Sequence, residues 1–104
     1  MDALLYRRNS DNYLRVRNLK NKATGGLLSA ATVEVTLLDR RGRAVEGETW
    51  PVTLLKVQDG EWATTLLREI VVKTGDELQL KLDIDAGVGL RVEQMLPVRV
   101  VESQ

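Results

Sequence analysis

Short alternations of apolar and polar residues, each closed by a turn that favours glycine, recur along this chain and constrain it to β structure. In Thr32-Val33-Glu34-Val35-Thr36-Leu37 the aliphatic residues fall at every second position, and Asp39-Arg40-Arg41-Gly42 follows. A period of two lines one face of a strand. Asp39 suits the first position of a type I turn. Gly42 suits the left-handed residue that closes a short hairpin loop. Asp59-Gly60, Gly75-Asp76 and Asp85-Ala86-Gly87-Val88-Gly89 repeat the signal, each between two such runs.

The remaining runs follow the same logic. Tyr13 to Leu19 reads as a half-buried strand with Leu14 and Val16 inward, and Asn18 to Gly26 as a loop. Ala31 to Leu38 is the clearest early strand, with Val33, Val35 and Leu37 on one face. Thr49 to Val57 is expected as one strand, with Trp50, Val52 and Leu54 on a shared face. Pro51 cannot donate to a ladder, so it marks a strand start or an edge, and Trp50 before it is extended. Glu61 to Leu66 follows the Asp59-Gly60 hairpin. In Glu77 to Ile84, Leu78, Leu80, Leu82 and Ile84 point in. A slip of one residue there would turn four aliphatic side chains to water, so the register is well specified. Leu90 to Val101 alternates through Val92 and Gln94 to Leu96, Val98 and Val100, with Pro97 as a bulge or edge position.

One stretch is ambiguous. Leu66, Leu67, Ile70 and Val71 fall at helical spacing, so one helical turn fits. The β-branched run Ile70-Val71-Val72 and the nearby Gly75 favour a crossing segment that ends as a strand.

A chain of 104 residues forms one domain with one core. Its only aromatics are Tyr6, Tyr13, Trp50 and Trp62, so the core must be aliphatic, built from Val and Leu. That suits a thin two-layer sandwich better than a ring-lined cavity. The expected fold is all-β: an antiparallel two-sheet sandwich of about seven strands. It spans residues 13–104, preceded by an N-terminal arm over residues 1–12. Leu4, Leu5 and Tyr6 in that arm are either a short edge strand or a segment that docks on a neighbouring subunit.

The chain contains neither Cys nor His. Disulfides, thiolate nucleophiles and the commonest general base and metal ligand are therefore excluded. Ser10, Ser29 and Ser103 have no base at a supporting spacing. Asp83 and Asp85, with Glu61 or Asp76 nearby, would be the only calcium candidate, but the pattern is not that of an EF-hand loop. Gly87-Val88-Gly89 is too short to cradle a phosphate. No catalytic, cofactor-binding or metal-ligating residue is expected, and no cofactor.

Net charge is zero but unevenly spread. Residues 1–52 carry nine Lys and Arg against six Asp and Glu, and the second half carries the reverse excess, six against nine. Arg7, Arg8, Arg15 and Arg17 suggest nucleic acid, yet without interleaved aromatics or a binding motif a solvated basic face is the plainer reading. Arg40, Arg41 and Arg43 on a hairpin tip could meet phosphate or an acidic partner. Trp50 and Trp62 fit a core or a subunit interface better than a sugar platform. No secretory signal and no apolar run of membrane-spanning length is visible, which implies a virion or the bacterial cytoplasm.

The order of elements resembles the immunoglobulin-like and prealbumin-like modules of bacterial and phage proteins. The resemblance rests on Val33 to Gly42, Trp50-Pro51-Val52-Thr53-Leu54, Asp59-Gly60-Glu61-Trp62 and Thr74 to Leu80, and covers roughly residues 13–101. It implies an immunoglobulin-like sandwich and a non-enzymatic structural or interaction module, similar to small phage or prophage neck, tail or fibre-associated proteins. Its partners would be other proteins or further copies of itself. The contact residues would come from Leu4, Leu5, Tyr6, Arg40, Arg41, Trp50 and Trp62. The alternative is a carbohydrate- or surface-binding module using Trp50 or Trp62.

Overall fold

The computed structural model describes residues 4–21, 24–66, 69–87 and 91–102. Eight strands form two sheets around one core, and no helix occurs among the described residues. The strands are β1 (Leu4–Arg7), β2 (Asn12–Val16), β3 (Thr32–Leu38), β4 (Val52–Thr53), β5 (Leu55–Gln58), β6 (Glu61–Leu66), β7 (Glu77–Asp85) and β8 (Arg91–Val101). The larger sheet has the order β1-β8-β7-β3-β4, and the smaller β2-β6-β5.

The aliphatic alternations fill the space between the sheets. Val33, Val35 and Leu37 of β3 are buried, as are Leu78, Leu80, Leu82 and Ile84 of β7 and Val98 and Val100 of β8. Trp62 and Leu66 of β6 meet them from the smaller sheet. The long pairing of β7 with β8 runs from Glu77↔Arg99 to Asp85↔Arg91 with no shift. Pro97 therefore sits in no bulge. Val100 donates to the Asp76 carbonyl and accepts from the Gly75 amide, whereas the Val101 carbonyl accepts from Arg8 on the other side. By the two-residue period, odd-numbered residues of β8 point their backbone groups away from β7. Pro97 lacks an N–H only where β7 does not need one.

Three expectations are corrected. The first concerns Thr49 to Val57, which is not one strand. Val52 pairs with Val35 in the larger sheet, and the Leu54 amide donates to the Val33 carbonyl at 2.8 Å. From Leu55 the chain pairs with β6 in the smaller sheet. The buried Leu54 is the corner where the chain changes sheets. Second, Ile70 to Val72 is not a strand. Ile70 and Val72 are buried and Val71 is exposed, an alternation that anchors an irregular crossover whose Val71 amide donates to the Glu46 carbonyl. Leu67 of that stretch lies outside the described residues. Third, the strands are not all antiparallel. Leu4–Arg7 pairs in parallel with β8, Leu4 opposite Val98 and Arg7 opposite Val101. Of the two readings of Leu4, Leu5 and Tyr6, the structure shows the edge strand.

The turns form as their residues require. Asp39 Oδ1 accepts from the amides of Arg41 and Arg43, at 2.8 and 3.0 Å, and Gly42 has a φ of +81°. Asp59 and Gly60 join β5 to β6, with Gln58 opposite Glu61.

Candidate interaction surface

The open part of β8 is the first feature of the site. β8 is eleven residues long, but β1 covers only Val98 to Val101. Along Arg91 to Pro97 the edge that faces away from β7 has no neighbouring strand among the described residues. By the parity given above, it presents the amides of Arg91, Glu93 and Met95. An edge of this kind is a template for a further strand. Val92 and Met95 on it are exposed apolar side chains.

The outer face of the larger sheet is the second feature. Cross-strand register places Glu34, Asp83 and Glu93 in one row, one residue each from β3, β7 and β8. Asp83 Oδ1 is buried without a hydrogen-bond partner among the described residues. The nearest cation is the Arg91 guanidinium, 3.9 Å away. Lys81 reaches Glu93 at 3.7 Å. Toward the opposite end of the strands come the rows of Thr36, Lys81 and Met95, then Leu38, Gln79 and Pro97. Last comes Glu77 beside Arg99, which borders a groove shared with Asp39 and Arg40 of the β3 turn. Two amides aimed at its carboxylate, that of Arg43 above all, hold Asp39 below the usual aspartate range.

The residues singled out in the sequence do not converge. Arg40 and Arg41 are exposed on the β3 turn, and no ion pair engages them among the described residues. Leu4 and Leu5 are exposed on β1, but Tyr6 is 2% exposed and lies in the core. Burial pushes its phenol up. Trp62 is likewise 2% exposed and offers no ring face to a ligand. Trp50 is half-buried against the core, and its indole N–H donates to the Val45 carbonyl at 2.6 Å. Burial thus withdraws Tyr6 and Trp62 from the contact set.

The charged groups are dispersed too. Arg8 lies 3.4 Å from Glu102 and Arg15 lies 3.5 Å from Glu61, which is buried and also accepts from Gln58. Glu61 belongs to the smaller sheet, away from Asp83 and Asp85. No three acidic side chains stand together as a metal-binding group among the described residues. None of the helices that would be long and apolar enough to cross a membrane occurs among them either.

Sequence reading missed Glu34, Glu93 and Arg99, because only the pairing register brings them onto a common face with Asp83 and Arg40. It also missed the smaller sheet's exposed face, where Tyr13 and Leu55 are 64% and 74% exposed on either side of β6. The chain matches no family model, no curated protein and no solved structure.

Proposed function

We propose that the protein is a non-enzymatic interaction module with an immunoglobulin-like sandwich, which assembles with further copies of itself by strand addition along Arg91 to Pro97 of β8. The observation that carries this reading is the mismatch between β8 and the four-residue β1 that caps it. The absence of Cys and His supports a role without catalysis. The phage-type resemblance supports a place in a virion, where repeated copies must adhere.

Mass by light scattering across a range of concentrations, together with hydrogen exchange, tests it. The expected result is growth of mass with concentration and protection of the Arg91, Glu93 and Met95 amides. Val92→Lys, which places a charge on that edge, should abolish the amide protection and any growth in mass beyond a dimer while leaving the circular dichroism spectrum unchanged. Edge amides that exchange freely at every concentration would refute the proposal.

Tyr13 and Leu55 favour a second reading, a carbohydrate-binding face on the smaller sheet with Tyr13 as the stacking ring in place of the tryptophans. A glycan panel that binds native protein and Tyr13→Ala equally well, or neither, removes it.

A further inference from the structure

The outer face of the larger sheet is polarised along its strands. Glu34, Asp83, Asp85 and Glu93 mark one end, with Lys81 and Arg91 among them. Arg40, Arg41, Arg43 and Arg99 mark the other, against Asp39, Asp76 and Glu77. Two of those three carboxylates are occupied locally, Asp39 by the amides of its own turn and Asp76 by the Lys73 amide at 2.9 Å. Between the ends lie Leu38, Met95 and Pro97, with Thr36 and Gln79.

We propose that this face docks on the same face of a second copy, strands antiparallel, about a two-fold axis level with Leu80. The Glu93 and Arg99 pairing follows from the register, and that of Arg40 from the groove it shares with Glu77 and Arg99. A two-fold at Leu80 exchanges the row of Asp83 with the row of Glu77. Glu34 of one copy then stands over Arg40 of the other, and Glu93 over Arg99, each pair occurring twice. The rows nearest the axis exchange as well, so Met95 meets Pro97 and Leu38 meets Thr36. Lys81 meets Gln79 between these pairs, so the contact has apolar flanks, a polar middle on β7 and charged ends. One like-signed pair remains, Asp83 over Glu77, flanked by Arg91 and Arg99.

The patch is small. Three strands about 4.8 Å apart and seven residues at about 3.4 Å each span a face smaller than that of most specific contacts, so the dimer is weak and salt-sensitive. It is independent of the β8 edge, whose amides point sideways rather than out of the sheet.

Sedimentation velocity on the full chain at about 0.02 M and about 0.5 M salt tests the proposal. Association should weaken as salt rises. Glu77→Lys removes the one repulsive pair and should tighten the dimer about threefold or more. This is a gain that misfolding cannot mimic. Arg99→Glu should weaken it, and Glu93→Arg combined with Arg99→Glu should restore it. Val92→Lys, which blocks the edge, should leave it intact. Failure of Glu77→Lys to tighten association, or of the double reversal to recover it, overturns the face contact while leaving the edge contact to its own test. Loss of all association in Val92→Lys alone overturns it too.

Discussion

Tyr6 stands opposite Val100 in a parallel pair, and both side chains are almost completely buried, at 2% and 1% exposure. A segment that local sequence marks as an arm therefore supplies part of the core. Tyr6→Ala should cost about 3 kcal/mol in chemical denaturation. Deleting residues 1–12 should lower stability for the same reason, so lost assembly in such a truncation would not isolate a docking role. A loss under about 0.5 kcal/mol for Tyr6→Ala would show that the ring is not in the core.

The same burial predicts an alkaline effect. Desolvation, with the negative field of Asp11, raises the Tyr6 phenol above its usual value. The folded state thus holds the proton after the unfolded chain has released it. The contribution is complete below the unfolded tyrosine pKa and is lost as pH rises through the folded one. Denaturation midpoints followed upward from about pH 9 should fall, and Tyr6→Phe should flatten that fall. An identical slope in native and Tyr6→Phe protein would refute the assignment.

Asp39 acts in the opposite direction. Its carboxylate accepts from the Arg43 and Arg41 amides, which lowers its pKa. Stability from this group is present above the unfolded aspartate pKa and lost as pH falls through the folded value. Asp39→Ala should therefore lower the melting temperature at neutral pH more than in strong acid. Equal losses at both pH values would point away from the charged turn.

Gly47 has a φ of +104°, and a Cβ there would run into the Glu69 carbonyl and come within 2.8 Å of Ile70 Cα. Both contacts are backbone and cannot swing aside. Gly47→Ala should cost at least about 2 kcal/mol, since left-handed strain and a clash act together. Denaturant midpoints unchanged by this substitution would rule out the close approach of the two segments.

Burial separates two leucines of similar local sequence. Leu80, at the centre of β7, lies between the sheets, whereas Leu55 is exposed on the edge strand β5. Leu80→Ala should destabilise by about 3 kcal/mol and Leu55→Ala by less than about 0.5 kcal/mol. Comparable losses from the two would contradict the orientation of β5.

The legibility of this fold varied with the range of the interactions. β3 and β7 were readable because Val33, Val35 and Leu37, and Leu78 to Ile84, carry their own face assignment at a period of two. The Asp39–Gly42 and Asp59–Gly60 turns were readable because their chemistry is local. Thr49 to Val57 looked like one strand because both halves are extended. Which sheet each half joins depends on Val35 and Ala63, distant in sequence. The burial of Tyr6 was hidden for the same reason: nothing in Leu4-Leu5-Tyr6 names Val100 as its neighbour. The acidic row was invisible because Glu34, Asp83 and Glu93 are scattered along the chain.

By itself, then, the sequence determined an all-β chain with an aliphatic core and well-defined turns, through steric preferences and side-chain alternation that act over a few residues. Only the tertiary structure decided that β1 closes part of the sheet in parallel, that no strand among the described residues covers Arg91 to Pro97, and that the charges of the outer face segregate. Those features arise from pairing between distant strands, where register, not composition, decides which groups meet.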